Sequence, residues 1–151
     1  IKVVIGNWDD CRAHAAAVRE EVFVQEQHVP ADLELDDEDA HCVHAVAYTE
    51  QGECIGTGRL LPDAHIGRMA VRKPYRGLGV GSLLLTALIN EAQKRRYSEV
   101  VLAAQLHAQP FYVAHGFTAE GGIFMDAGIE HITMRRVFGA SGTAARTAMP
   151  G

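Results

Sequence analysis

Between Arg72 and Arg96 the chain reads R-K-P-Y-R-G-L-G-V-G-S-L-L-L-T-A-L-I-N-E-A-Q-K-R-R. A basic turn carrying Pro74 passes through three alternating glycines, Gly77, Gly79 and Gly81, directly into a helix whose apolar positions include Val80, Leu84, Ala87, Leu88 and Ala92. The first turn of any helix leaves backbone N–H groups without intrahelical acceptors, and the aligned peptide dipoles place partial positive charge at the same end. Anions are held there. Glycine lets those amides close on an oxyanion with no Cβ in the way and tolerates positive φ, while Arg72, Lys73 and Arg76 add full charges within reach of a pyrophosphate. The stretch outlines a phosphate site. A glycine-rich helix start with no ligand is the alternative, disfavoured by the strand pattern ahead of it and by the basic flank.

Three phosphate loops compete for these residues. A Walker loop needs Lys after its last glycine, but Gly81 is followed by Ser82 and Leu83. The dinucleotide fingerprint G-x-G-x-x-G meets Ser82 at its third glycine when started from Gly77, and Leu84 when started from Gly79. What remains, Arg76-Gly77-Leu78-Gly79-Val80-Gly81, resembles the R/Q-x-x-G-x-G/A signature of the GCN5-related N-acetyltransferase (GNAT) superfamily. There the loop grips the pyrophosphate of acetyl-CoA, so the resemblance assigns Arg76 to Ser82 to that grip.

Composition is consistent with a small anionic ligand rather than a polymer. A chain of 151 residues is one domain of ordinary size, and a net charge of −5 provides no domain-wide basic field for nucleic acid. Cys11, Cys42 and Cys54 are odd in number and form no C-x-x-C, so neither a disulfide framework nor a zinc site is expected, and a reducing cytoplasm fits them. No run approaches the roughly 18 apolar residues that span a bilayer, and the start lacks the regions of a signal peptide. The missing initial Met implies that a few residues are absent or trimmed. His41, His44, His107 and His115 have no H-E-x-x-H or paired Cys beside them, and no metal is expected.

In chain order, Ile1 to Ile5 reads as a strand, and Ala15, Val18, Val22 and Phe23 mark a helix that gives out between Gln25 and Pro30. An acidic loop with Glu34, Asp36, Asp37, Glu38 and Asp39 follows. Cys42–Thr49 and Cys54–Leu61 read as a hairpin, Ile66–Val71 as the third strand of the meander, and Glu99–Ala104 as a buried strand after the central helix. Gln109–His115 is a short helix opened by Pro110, and Phe117–Phe124 and Glu130–Val137 are closing strands joined by Met125–Gly128. The domain is expected over 1–137, with a Gly/Ala/Ser/Thr-rich tail, most simply mobile, over 138–151.

This order matches the GNAT superfamily up to Val137. The segments Val22–Gln27, Glu34-x-Asp36-x-x-Asp39, Leu106–Gln109 and Gly128–His131 resemble its small bacterial ElaA/YjcF-like branch. The resemblance implies an α/β (α+β) acyl-CoA N-acyltransferase fold with a mixed, mostly antiparallel sheet splayed at the cofactor and flanked by helices. It implies acetyl transfer from acetyl-CoA to a primary amine, small-molecule or peptide, by direct attack, in a superfamily where homodimers are common. Backbone groups of Met69, Ala70 and Val71 would hold the pantetheine arm and the acetyl oxygen, whether or not their side chains also pack in the core. Gln105, like Gln109, would flank the arm or cap the strand end, and Phe111 would pack against coenzyme or core.

Acetyl transfer requires that the amine lose a proton and the leaving thiolate gain one. Tyr112 in Pro110-Phe111-Tyr112 matches the family tyrosine near the coenzyme sulfur and is either that proton donor or a buried tyrosine capping the sheet. Glu26 is the first candidate base and is otherwise a surface carboxylate at a helix end. His131 is the second, with a hydrogen-bonded wall residue as its alternative. Glu34, Asp36 and Asp39 read either as a rim that draws in a cationic amine or as a solvated loop. Two rivals remain: a catalytically silent acyl-CoA-binding module of the same fold, and a nucleotide-binding regulatory domain.

Overall fold

The β-branched run near the N-terminus forms β1 (Lys2–Gly6) in the computed structural model, which describes residues 1–34 and 36–139. Asn7 then turns the chain: its Oδ1 accepts the Asp10 amide at 2.8 Å and supplies a partner that a helix start otherwise lacks. Helix α1 (Trp8–Arg19) buries Cys11, Ala15 and Val18. The sequence places one ordinary helix here. The structure keeps its extent but changes its bonding, because Glu20–Glu26 is π-helical and Gln27 N donates to Val22 O at 3.0 Å. In an α-helix, residues five apart lie about 140° apart around the axis. The i→i+5 register stacks them instead, so Glu21 and Glu26 share a face.

A short helix α2 (Ala31–Glu34) and a 3₁₀ turn (Asp37–His41) lead into the expected meander: β2 (Val43–Tyr48), β3 (Cys54–Leu60) and β4 (Ile66–Val71). With β1 they make an antiparallel sheet in the order β1-β2-β3-β4, so β4 is an edge strand of that sheet. Thr57 pairs with Ala70 and Arg59 with Gly67, which leaves β4 one residue longer than β3 across this interval. The bulge lies at Arg68, whose φ of 51° costs a residue with a Cβ on the order of 1–2 kcal/mol.

Helix α3 (Val80–Lys94) packs its N-terminal half against β3. A Cβ on Gly56 would stand 2.9 Å from Leu84 Cδ1, and one on Gly58 would stand 3.0 Å from Leu88 Cδ1 and 2.4 Å from Met69 Sδ. Glycine at these two strand positions is what lets the helix approach. Val46, Ile55, Leu60, Leu84, Leu85 and Leu88 are buried in this unit, and Val18 and Val22 pack with Ala70 of β4.

The chain divides into two compact units, the second beginning at Asn90. It contains β5 (Glu99–Gln105), a 3₁₀ turn (Leu106–Ala108), α4 (Gln109–Ala114), β6 (Thr118–Asp126) and β7 (Ile129–Val137), with its sheet in the order β5-β7-β6. The loop expected over Met125–Gly128 contracts to Ala127 and Gly128, both at positive φ (50° and 77°), the backbone of a two-residue type I′ turn. The fold is α+β, antiparallel sheets flanked by helices. Every strand pair among the described residues is antiparallel, in keeping with the mostly antiparallel arrangement expected from the sequence. Among the described residues no helix is long and apolar enough to cross a membrane. Of the expected tail, residues 140–151 lie outside the described residues.

Candidate active site

Strand β4 delivers the chain through a 3₁₀ turn (Lys73–Tyr75) to the glycine loop. Gly77 and Gly79 take φ of 80° and 84°, so the alternation seen in the sequence is a backbone requirement. A Cβ at either would meet no atom within 4 Å, and Leu78 between them is 63% exposed, so the face of the loop is open. Bonding into α3 begins with Leu83 N donating to Gly79 O at 3.1 Å, which puts the amides of Val80, Gly81 and Ser82 in the turn ahead of it. The open glycine turn thus stands at the N-terminal end of a 15-residue helix, where the peptide dipoles place partial positive charge.

The cations beside the loop are not equivalent. Arg76 donates through Nη1 and Nη2 to the two carboxylate oxygens of Glu26 at 2.6 and 2.8 Å, and through Nε to the Val71 carbonyl at 2.8 Å. Arg72 Nε donates to both Glu21 oxygens at 3.0 and 3.2 Å, and its Nη1 to Glu53, which also accepts from Tyr75 Oη at 2.9 Å. Lys73 is exposed and has no such pair among the described residues. The π register explains the arrangement, since it turns Glu21 and Glu26 toward arginines four positions apart. Glu26, the first candidate base, is thus the partner of Arg76, whose hydrogen bonds hold its carboxyl below the usual range. A carboxylate held low accepts a proton poorly.

Met69 and Val71 are half-buried and Ala70 is buried, on the edge strand that leads into this loop. Leu78 to Ser82 and Arg76 follow within the same unit. The remaining site candidates, Gln105, Phe111, Tyr112 and His131, belong to the second unit.

Tyr112 on α4 meets Phe111 and Phe117 edge-on at centroid distances of 5.1 and 5.8 Å, and its hydroxyl has no hydrogen bond among the described residues. Burial pushes the phenol up to about 12. It stays protonated through neutral pH, as a donor must. Passing its proton to a thiolate of ordinary pKa, about 8.5, is nevertheless uphill by about 5 kcal/mol, so the donor role requires the phenolate to be stabilised as it forms. Phe111 packs against Tyr112 and, at 4.9 Å, against His115. The register of β7 sets His131 opposite Gln105 of β5 on one side and Phe124 of β6 on the other, with the Phe124 ring stacked on it at 5.9 Å. His131 Nδ1 lies 2.7 Å from the Ile129 carbonyl and donates to it, so in the neutral ring Nε2 is the accepting nitrogen.

The acidic segment is divided: Asp36, Asp37 and Glu38 are exposed, whereas two of its carboxylates are buried. Glu34 and Asp39 are only 3% and 2% exposed. Arg19 donates through Nε to Glu34 at 2.6 Å and through Nη1 and Nη2 to Asp39 at 2.8 and 3.1 Å. Arg59 on β3 donates to Asp39 at 2.8 Å and, in a fork, to Asp36 at 2.8 and 2.9 Å. The Arg59 bonds hold the Asp36 carboxyl down to about 2. Burial pushes Asp39 up, but its arginine partners outweigh that and leave it low. His44 Nε2 lies 2.9 Å from the Asp39 carbonyl and its ring lies against Trp8, and burial pushes the imidazole below its ordinary range. Sequence reasoning missed Arg19 and Arg59. The available signal was a charge on the apolar face Ala15-Val18-Val22 and another inside a strand whose remaining residues are small or apolar.

Residues 9–138 match the family model described as the acetyltransferase (GNAT) domain. The chain is a GNAT-family acetyltransferase. It is 37% identical over 140 residues to the uncharacterized N-acetyltransferase YjcF of Bacillus subtilis, covering 90% of this chain and 99% of that one. Among solved structures, Escherichia coli ElaA superposes with a TM-score of 0.81 at 26% identity, covering 90% of this chain and 99% of that one. An acyl-CoA N-acyltransferase from Pseudomonas aeruginosa gives 0.80 at 29%, covering 91% and 100%. The GNAT assignment makes the chain an acyltransferase that uses an acyl-CoA co-substrate, and places it in the small bacterial branch.

Proposed function

We propose that this GNAT enzyme transfers the acetyl group of acetyl-CoA to a primary amine by direct attack, and that residues 1–137 act as its catalytic domain. The observation that carries the reading is the glycine cradle, with two αL glycines and open space above them at the start of α3. Acetyl-CoA would supply an activated thioester. The amides of Gly77 to Ser82 would hold its diphosphate, with Lys73, which makes no carboxylate salt bridge among the described residues, as a nearby cation. Arg76 would act chiefly as a brace, since one side chain ties the end of β4 at Val71 to Glu26. Edge strand β4 offers the main-chain groups of Met69, Ala70 and Val71 to the pantetheine arm and acyl oxygen.

For proton removal His131 is better prepared than Glu26, because its Nδ1–H is already committed to Ile129 and Nε2 is left as the acceptor. Tyr112, protonated and with no hydroxyl hydrogen bond among the described residues, is the donor candidate for the thiolate. Replacing Tyr112 by Phe should lower kcat about tenfold or more and leave acetyl-CoA affinity unchanged; unaltered turnover removes it from the mechanism.

The decisive experiment is a thermal-shift screen with acetyl-CoA, CoA, ATP and NAD, followed by free-thiol release across a panel of small amines and lysine peptides. Stabilisation by CoA compounds alone, about 2.7 kcal/mol at a hundredfold excess over Kd, with thiol release on some amine, is the expected result. Stabilisation by ATP or NAD instead would refute the reading. A second reading is favoured by one observation, the bidentate capture of Glu26 by Arg76: a silent acyl-CoA-binding module. It predicts stabilisation by acetyl-CoA with no thiol release on any amine.

A further inference from the structure

The one non-glycine residue of β4 at positive φ is an arginine, although a glycine stands immediately before it at position 67. Its guanidinium accounts for the choice. Arg68 Nε donates to the Glu34 carbonyl at 3.0 Å and lies 3.5 Å from Glu34 Oε2, and Nη2 donates to Asp36 at 3.3 Å. These acceptors are themselves fixed: Glu34 by Arg19, and Asp36 by the Arg59 fork. Arg59 stands on β3 opposite Gly67. The bonds therefore form a closed circuit, from β3 through the acidic segment and back to the bulge of β4, in which three guanidiniums balance three carboxylates. The next residue along the strand is Met69, and Gly58 across from the bulge gives its side chain room.

We infer that Arg68 is a positioning residue for acyl transfer: tethered to Glu34 and Asp36, it sets the bulge and with it the direction in which Met69, Ala70 and Val71 present their main-chain groups to the thioester. The inference rests on the acetyl-CoA reading above and extends it to the Glu34-x-Asp36-x-x-Asp39 segment, whose work is then to aim the strand. An arginine held only for stability would leave the chemical step alone. A positioning arginine makes the chemical step sensitive while the distant diphosphate grip is not.

The test compares wild type, Arg68→Gly, Arg68→Lys and Asp36→Asn by titration with CoA and by thiol release from acetyl-CoA with an amine that the wild type accepts. Glycine adopts φ near 51° freely, so Arg68→Gly removes the tether without straining the strand. Its CoA affinity should stay within about twofold of wild type while kcat falls about tenfold at unchanged amine KM. Arg68→Lys should recover part of kcat, and Asp36→Asn should reproduce the loss, with a variant carrying both Arg68→Gly and Asp36→Asn no slower than the worse single one. A kcat of Arg68→Gly within twofold of wild type overturns the inference, as does a parallel fall of kcat and CoA affinity. Should Arg68→Gly fail to fold, Asp36→Asn decides by the same criteria. Failure of the acetyl-CoA reading is seen separately, in a wild type that neither binds CoA nor releases thiol, and that outcome removes both.

Discussion

The first unit contains two arginine–carboxylate clusters with the same chemistry and opposite surroundings. Around Asp39, the side chains of Arg19, Arg59 and Glu34 are almost wholly out of water. Beside the glycine loop, Arg72 and Arg76 meet Glu21, Glu53 and Glu26 with a quarter to a half of each side chain in solvent. Charges removed from water depend on one another, because losing one partner strands the rest in a low dielectric, whereas solvated pairs can exchange partners at little cost. The buried cluster is therefore fixed architecture. The exposed one holds two guanidiniums beside the glycine loop in pairs that solvent and salt can loosen.

Three measurements can break or sharpen that contrast. The largest effect belongs to Asp39→Ala, which strands two buried guanidiniums and should lower unfolding stability by about 3–5 kcal/mol in a urea titration. Acid titration comes next. Asp36, held to about 2 in the folded chain, contributes stability that is complete above the unfolded carboxylate pKa, near 3.9, and is lost as pH falls toward 2. After allowing for its part exposure this amounts to about 1–2 kcal/mol, and Asp36→Asn should flatten the stability curve over that window. The smallest effect is expected of Glu26→Gln, which should change stability by less than about 1 kcal/mol, a difference that disappears near roughly 0.5 M salt. A loss as large as that of Asp39→Ala would erase the distinction between the clusters.

Much of the frame could be read before the structure was seen. Gly77 and Gly79 announce left-handed backbone because few other residues tolerate it, and the meander from β2 to β4 follows from alternation and turn residues. Other features have no local signature. Arg19 finds Glu34 and Asp39 fifteen and twenty positions away, and Arg59 finds Asp36 at twenty-three, so two carboxylates of an acidic run that reads as solvated, Glu34 and Asp39, are buried by partners on other elements. Val18, Val22 and Phe23 suit α and π registers equally, which hid the pairing of Glu26 with Arg76 and left Glu26 open as a base. Ala127 in a type I′ turn lacks the Asn or Asp that would have marked it.

A π-helical segment is, in effect, an ordinary helix with a residue to spare. Deleting one position between Val22 and Gln25 would let Trp8–Glu26 wind as a single α-helix, sparing the core contacts of Val18 and Val22 while swinging the later glutamate away from the cradle. Loss of a single codon would then uncouple the loop arginine from its clasp without touching either residue.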